Sequence, residues 1–123
     1  MSPAARVLIV DRSRESRDLL SSLLIRRGAE VIEAHGTDRG AQIADERRPD
    51  LIVVDDEAAQ HDDAGDESAA RLAAAAARND VPIVVLGTFR RRASPLPTEL
   101  FVAKPYHYGA LIRRIEELLG HRQ

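Results

Sequence analysis

At 123 residues, 44% apolar and 31% charged, the chain is long enough to bury one core and too hydrophobic for intrinsic disorder. A net charge of −2 gives no electrostatic case for nucleic acid, and the lack of cysteine excludes disulfides and thiolate metal sites. No apolar run approaches the ~20 residues of a membrane span and "MSPAARV" lacks the apolar core of a signal peptide, so one cytoplasmic domain over 3–121, with no membrane partner, is expected.

Short β-branched runs alternate with helical patterns, which predicts βαβ units around a parallel sheet. The run "RVLIV" (6–10) is apolar throughout, as a strand covered on both faces requires. Ser13 can cap the next helix, whose Leu19, Leu20, Leu23 and Leu24 predict one apolar face, and Gly28 suits its stop. "EVIEA" (30–34) is a shorter, more polar strand, expected at a sheet edge. Thr37 or Asp38 opens a second helix that ends before Pro49.

"DLIVV" (50–54) is the third strand and "ESAARLAAAAAR" (67–78) the third helix, whose alanines predict close packing on the sheet. Strand four is "VPIVVLG" (81–87) and strand five "LFVA" (100–103), followed by an amphipathic helix carrying Leu111, Ile112, Ile115, Leu118 and Leu119. Pro95 and Pro97 interrupt the crossover between strands four and five, so the helix there is expected to be shortened or missing. The fold class expected is α/β: a flavodoxin-like, doubly wound, five-stranded parallel sheet in the order 2-1-3-4-5.

In such a sheet ligands bind beyond the carboxyl ends of strands one and three, where the order reverses. Asp11 and Asp55 stand at those two ends. Neighbouring strands are ~4.8 Å apart, so the two carboxylates can share one cation, and Mg²⁺ accepts such a pair. Lys104, the one lysine among 18 basic residues, falls at the tip of strand five before Pro105, where a cis peptide is a candidate. Its compact ammonium suits a phosphoryl oxygen.

Over nearly its whole length the chain resembles the receiver domains of two-component response regulators. The segments "VLIVD", "RRGAEVIEA", "RPDLIVVD", "VPIVVLGT" and "FVAKPY" carry the resemblance in family order. It implies that Asp55 is a phosphoacceptor for a histidine kinase, in a signalling module rather than an enzyme. It implies that Asp11, Asp55 and the backbone carbonyl of Glu57 hold Mg²⁺, and that Lys104 contacts the phosphoryl group.

Several positions depart from the family pattern. Arg12 replaces the second acid at the end of strand one; its guanidinium could fork onto Asp11 or Asp55 in place of the ion, or swing out to solvent. Gly87 stands where the family keeps a hydroxyl, and Thr88, one residue on, points to the opposite face unless the strand bulges. Phe101 matches the switch aromatic but has no hydroxyl. Asp56 and Glu57 place further negative charge beside the acceptor, while His61, Asp62, Asp63, Asp66 and Glu67 read as a solvated loop and helix start. Arg90, Arg91 and Arg92 form a solvated run or a patch for an acidic protein partner.

Two functional readings follow. One is a pseudo-receiver that acts through protein–protein contacts, with Mg²⁺-dependent phosphorylation impaired by Arg12 and Gly87. The other is a working phosphoacceptor. A flavin binder or small-molecule enzyme is disfavoured, because "DRSRES" after strand one offers no glycine for phosphate to approach the backbone.

Overall fold

The structure, a computed structural model, describes residues 4–56, 65–88 and 96–120. In chain order it runs β1 (Arg6–Val10), α1 (Arg14–Arg26), β2 (Glu30–Ala34), α2 (Thr37–Arg47), β3 (Leu51–Asp55), α3 (Gly65–Arg78), β4 (Ile83–Gly87), β5 (Leu100–Ala103) and α4 (Tyr108–Gly120). All strand pairs are parallel, in the order β2-β1-β3-β4-β5. The doubly wound sheet expected from the alternating pattern is therefore present, with the polar β2 at one edge.

Strand alternation divides the interior into two cores. Leu8, Val10, Ile52, Val54, Ile83 and Val85 face one side with Leu72, Ala69 and Ala75 of α3 and Ile43 of α2. Val7, Ile9, Leu51, Val53, Val84 and Leu86 face the other with Leu20 and Leu24 of α1 and Leu111, Ile112 and Ile115 of α4. β1, β3 and β4 are covered on both faces, which is why their sequences are apolar without alternation. Each fully buried Val, Leu or Ile contributes about 1.5–3 kcal/mol of transfer free energy.

The alanines of α3 bring it against α2 more than close onto the sheet, and the close approach to a strand is made by α2. Gly40 on α2 lets the backbone approach so closely that an added Cβ would meet Val10 Cγ2 at 2.9 Å. Thr37 Oγ1 and Ser68 Oγ share a buried hydrogen bond of 2.6 Å between α2 and α3. Arg71 with Asp38, and Arg78 with Asp45 at 2.8 Å, lace the outer rim of the same pair.

α1 begins as expected: Ser13 accepts from the Ser16 N–H at 3.2 Å, and Gly28 leaves the helix at φ +96°. Its apolar face is narrower than four leucines suggest, because Leu20 and Leu24 are buried while Leu19 remains 45% exposed. Element boundaries also move: β3 runs Leu51–Asp55 rather than 50–54, α3 begins at Gly65, ahead of Glu67, and β4 begins at Ile83. Residues 89–95 lie outside the described residues, and with them most of the crossover before β5. Leu96, just beyond, is buried in the core that faces α2 and α3. Among the described residues no helix is long and apolar enough to cross a membrane.

Candidate functional site

Register brings the acids together. Val10 pairs with Val54, so Asp11 and Asp55 come next on adjacent strands, at the reversal point of the strand order. Asp11 prolongs the β1–β2 ladder by donating its N–H to Ala34 O at 3.1 Å. Its Oδ1 then accepts the Ser13 N–H at 2.8 Å, a tight turn that aims the carboxylate across the crevice and sets up the Ser13 cap of α1. Asp55 closes β3 opposite Leu86, and Asp56 follows it in one residue of tight helical turn. All three carboxylates are buried, between 6% and 8% exposed.

Lys104 reaches the same point from two strands away. Its N–H donates to Gly87 O at 2.8 Å, continuing the β4–β5 pairing past Ala103. Its Nζ lies 2.5 Å from Asp55 Oδ2, with Asp55 only 8% exposed at the side chain and Lys104 31%. The Lys104–Pro105 peptide is cis.

Burial holds Asp11 above its ordinary carboxylate range, and the Asp55 charge adds to this. The Ser13 N–H and the charges of Lys104 and Arg17 pull the other way. Tyr106, directly after the cis proline, is pushed up by burial, by Tyr108 and by the charges of Asp55 and Asp11, so its hydroxyl stays protonated. Its ring meets Tyr108 edge-on, with centroids 5.4 Å apart.

Arg12 does not enter the crevice. It is exposed and makes no ion pair among the described residues, so of the two conformations open to it the solvent one is observed. The guanidinium at the site belongs to Arg17, one turn into α1. Its Nη1 donates to Asp11 O at 2.6 Å, and its Nε lies 3.4 Å from Glu33 Oε1. Sequence reading passed over Arg17 because only the i, i+4 step from the cap Ser13 marks it, and five other arginines lie in the stretch 6–27.

Gly87 is filled from the side. A Cβ there would stand 3.1 Å from Asp56 Cβ and 3.3 Å from the Phe101 ring. The β4–β5 ladder runs without a bulge through Gly87, and Thr88 beyond it is exposed. Glu57, His61, Asp62, Asp63, Arg90, Arg91, Arg92 and His121 lie outside the described residues, as does the side chain of Asp66. Among the described residues, no group of three or more His, Asp or Glu side chains has a metal-holding arrangement.

Comparison with solved structures bears on the fold. A CheY-like response regulator receiver domain from Methanospirillum hungatei JF-1 superposes with a TM-score of 0.81 at 20% identity, covering 96% of this chain and 95% of that one. The fold is that of a receiver domain. The chemotaxis protein CheY4 of Vibrio cholerae gives 0.76 at 22% identity, with 94% and 98% covered. A two-component response regulator from Clostridium difficile gives 0.77 at 16% identity, with 97% and 98% covered. Neither a protein-family model nor a curated protein sequence matches the chain. On this receiver fold Asp11, Asp55 and Lys104 converge on one crevice, while Arg12 and Thr88 turn away from it.

Proposed function

We propose that the chain is a receiver-type module of two-component signalling that acts through protein–protein contacts, with phosphorylation of Asp55 impaired. The observation that carries this reading is Gly87 at the tip of β4, which offers no hydroxyl and has Asp56 and the Phe101 ring packed against the space a side chain would need. Lys104 offsets Asp55, and Arg17, shared between the Asp11 carbonyl and Glu33, lies beside Asp11, so part of the anionic charge is offset from within the chain. The position beside Asp11 that would add a metal-binding charge is Arg12, which faces solvent.

The donor set fits Mg²⁺ weakly. Asp11 and Asp55 would hold it, since two carboxylates suffice when water fills the other positions. Bound there, the ion would neutralise charge on phosphoryl oxygens. Asp11 would first release part of its hold on Ser13, and Asp55 its hold on Lys104.

The convergence of Asp11, Asp55 and Lys104 favours a second reading, a working phosphoacceptor. An Asp55 oxygen would attack the phosphorus of a phosphohistidine on a histidine kinase, forming the O–P bond as the N–P bond breaks. Lys104 would pass from the carboxylate to the new phosphoryl oxygens. Gly87 offers no hydroxyl to that group, and the Phe101 ring occupies the space beside it.

Incubation with acetyl phosphate and Mg²⁺, followed by intact mass measurement, separates the two. We expect no phosphoryl adduct, and partner binding that is unchanged in Asp55→Asn. A near-stoichiometric adduct abolished by Asp55→Asn overturns the first reading in favour of the second.

A further inference from the structure

We propose that a pocket between the C-terminal half of α1 and the start of α4 binds a small organic anion, a carboxylate carried on an aromatic or branched apolar body. The pocket is about 400 Å³ and is lined by Leu23 and Arg26 of α1, by its C-cap Arg27, and by Tyr108, Ile112 and Arg113 of α4. That volume lies within the range of small-ligand sites. It stands on α1 and α4, uses none of Asp11, Arg17, Asp55 and Lys104, and adjoins their crevice only where Tyr108 meets Tyr106.

The lining separates into an apolar floor and a cationic rim. Ile112 is buried, while Leu23 and Tyr108 are half-buried members of the core beneath. Of the three arginines, Arg27 is already engaged: Nη2 and Nε donate to the two carboxylate oxygens of Glu116 at 2.8 and 3.2 Å. That fork closes one side of the pocket and neutralises its own cation. Arg26 and Arg113 are exposed and have no ion pair or hydrogen bond among the described residues. Arg113 lies back over the first turn of α4, with Nη1 3.9 Å from the position a Cβ would take on Gly109.

That first turn contains no acidic residue to answer the positive end of the helix dipole. Two unpaired guanidiniums and a helix start therefore surround an apolar floor. A guanidinium matches a carboxylate in a two-pronged arrangement, and its planar face stacks on an aromatic body. The engaged Arg27–Glu116 pair shows this recognition in the same wall of the pocket, with the chain's own carboxylate as the anion.

The test is an NMR titration of the full chain with benzoate, benzamide and inorganic phosphate, read at the Leu23 and Ile112 methyls and the Gly109 amide. Benzoate should shift all three saturably, while benzamide, lacking charge, and phosphate, lacking an apolar body, should bind weakly or not at all. Arg26→Gln and Arg113→Gln should each weaken benzoate by about two- to fivefold, the range of an exposed ion pair. Glu116→Gln should tighten it by a similar factor, because Arg27 is released to the ligand. Asp55→Asn should leave the titration unchanged. No saturable benzoate shift, equal binding of benzamide, or indifference to both arginine variants overturns the proposal, as does weaker binding in Glu116→Gln. The same spectra report folding, so a variant that fails to fold is recognised and replaced by Arg26→Lys or Arg113→Lys, which should lose part of the affinity.

Discussion

Lys104→Met tests whether the crevice is an energetic unit or a coincidence of side chains. The substitution keeps an apolar stem of similar length and removes the ammonium, taking away the Nζ that lies 2.5 Å from Asp55, whose side chain is only 8% exposed. Breaking a fully buried pair costs about 3–5 kcal/mol, whereas an exposed pair is worth up to ~1 kcal/mol. Lys104 is nearly one third exposed, so solvent screens part of the interaction, and Arg17 remains nearby. We therefore expect a loss of about 2 kcal/mol at neutral pH, between those two limits. For a chain of this length that lowers the melting temperature by about 8 °C, from an unfolding entropy of ~2.1 cal/mol/K per residue. The decisive measurement is a double-mutant cycle by urea denaturation. With Asp55→Asn already present, Lys104→Met should cost under ~0.5 kcal/mol, because the charge it served is gone. Equal losses in the two backgrounds would show that Lys104 acts by packing alone and would refute the ion-pair basis of the site.

Asp11→Asn should stabilise the chain. The folded state holds Asp11 above its ordinary value, so between the unfolded and folded values the folded chain carries the extra proton, and stability falls as pH rises through the folded value. Asn cannot ionise but can still accept the Ser13 N–H, so melting curves should show a gain at pH ~7 that vanishes below the ordinary Asp value of about 3.9; lower stability at neutral pH would contradict the burial argument. Gly87→Ala should cost about 1–3 kcal/mol, because its Cβ meets Asp56 and the Phe101 ring, and Phe101→Leu should recover part of it in urea titrations. A neutral Gly87→Ala would mean the ring yields freely. Gly40→Ala sets two effects against each other: helix propensity favours alanine by about 1 kcal/mol, but Val10 Cγ2 at 2.9 Å is the end of a short, stiff, buried side chain. Destabilisation is expected, and a raised melting temperature would show that α2 can lift off the sheet.

The sheet was legible because its signals are collective. β1, β3 and β4 are each too apolar to face water on either side, and the helical periods between them leave few ways to cover both faces. Asp11, Asp55 and Lys104 were legible for a related reason: strand tips are fixed once strands are counted, and a side chain on a tip has little freedom in where it points. What escaped were properties of single side chains on helices and turns. Leu19 and Leu20 differ by one step of about 100° on α1, enough to leave one 45% exposed and bury the other at 3%. The hollow at Gly87 could not be foreseen either, since it depends on the angle at which Phe101 leans back over β4.

The two arginines near the end of β1 make the same distinction in charge. Arg12 is adjacent to Asp11 in sequence, but the turn that lets Asp11 accept from Ser13 carries the intervening side chain outward. Arg17 is six residues away, yet the cap at Ser13 starts α1 so that its first complete turn carries Arg17 back over the Asp11 carbonyl. With its side chain 14% exposed, a guanidinium there is far less screened than one in water, and it acts on Asp11 through a fixed hydrogen bond. A cation so placed opposes a divalent ion at Asp11 by Coulomb repulsion while stabilising the ionised carboxylate that the ion would need. Replacing Arg12 with an acid would therefore add a metal donor beside a site that still holds Arg17 and Lys104. On the proposed reading, a weak metal site would owe as much to the cations the fold brings in as to the acid the sequence leaves out.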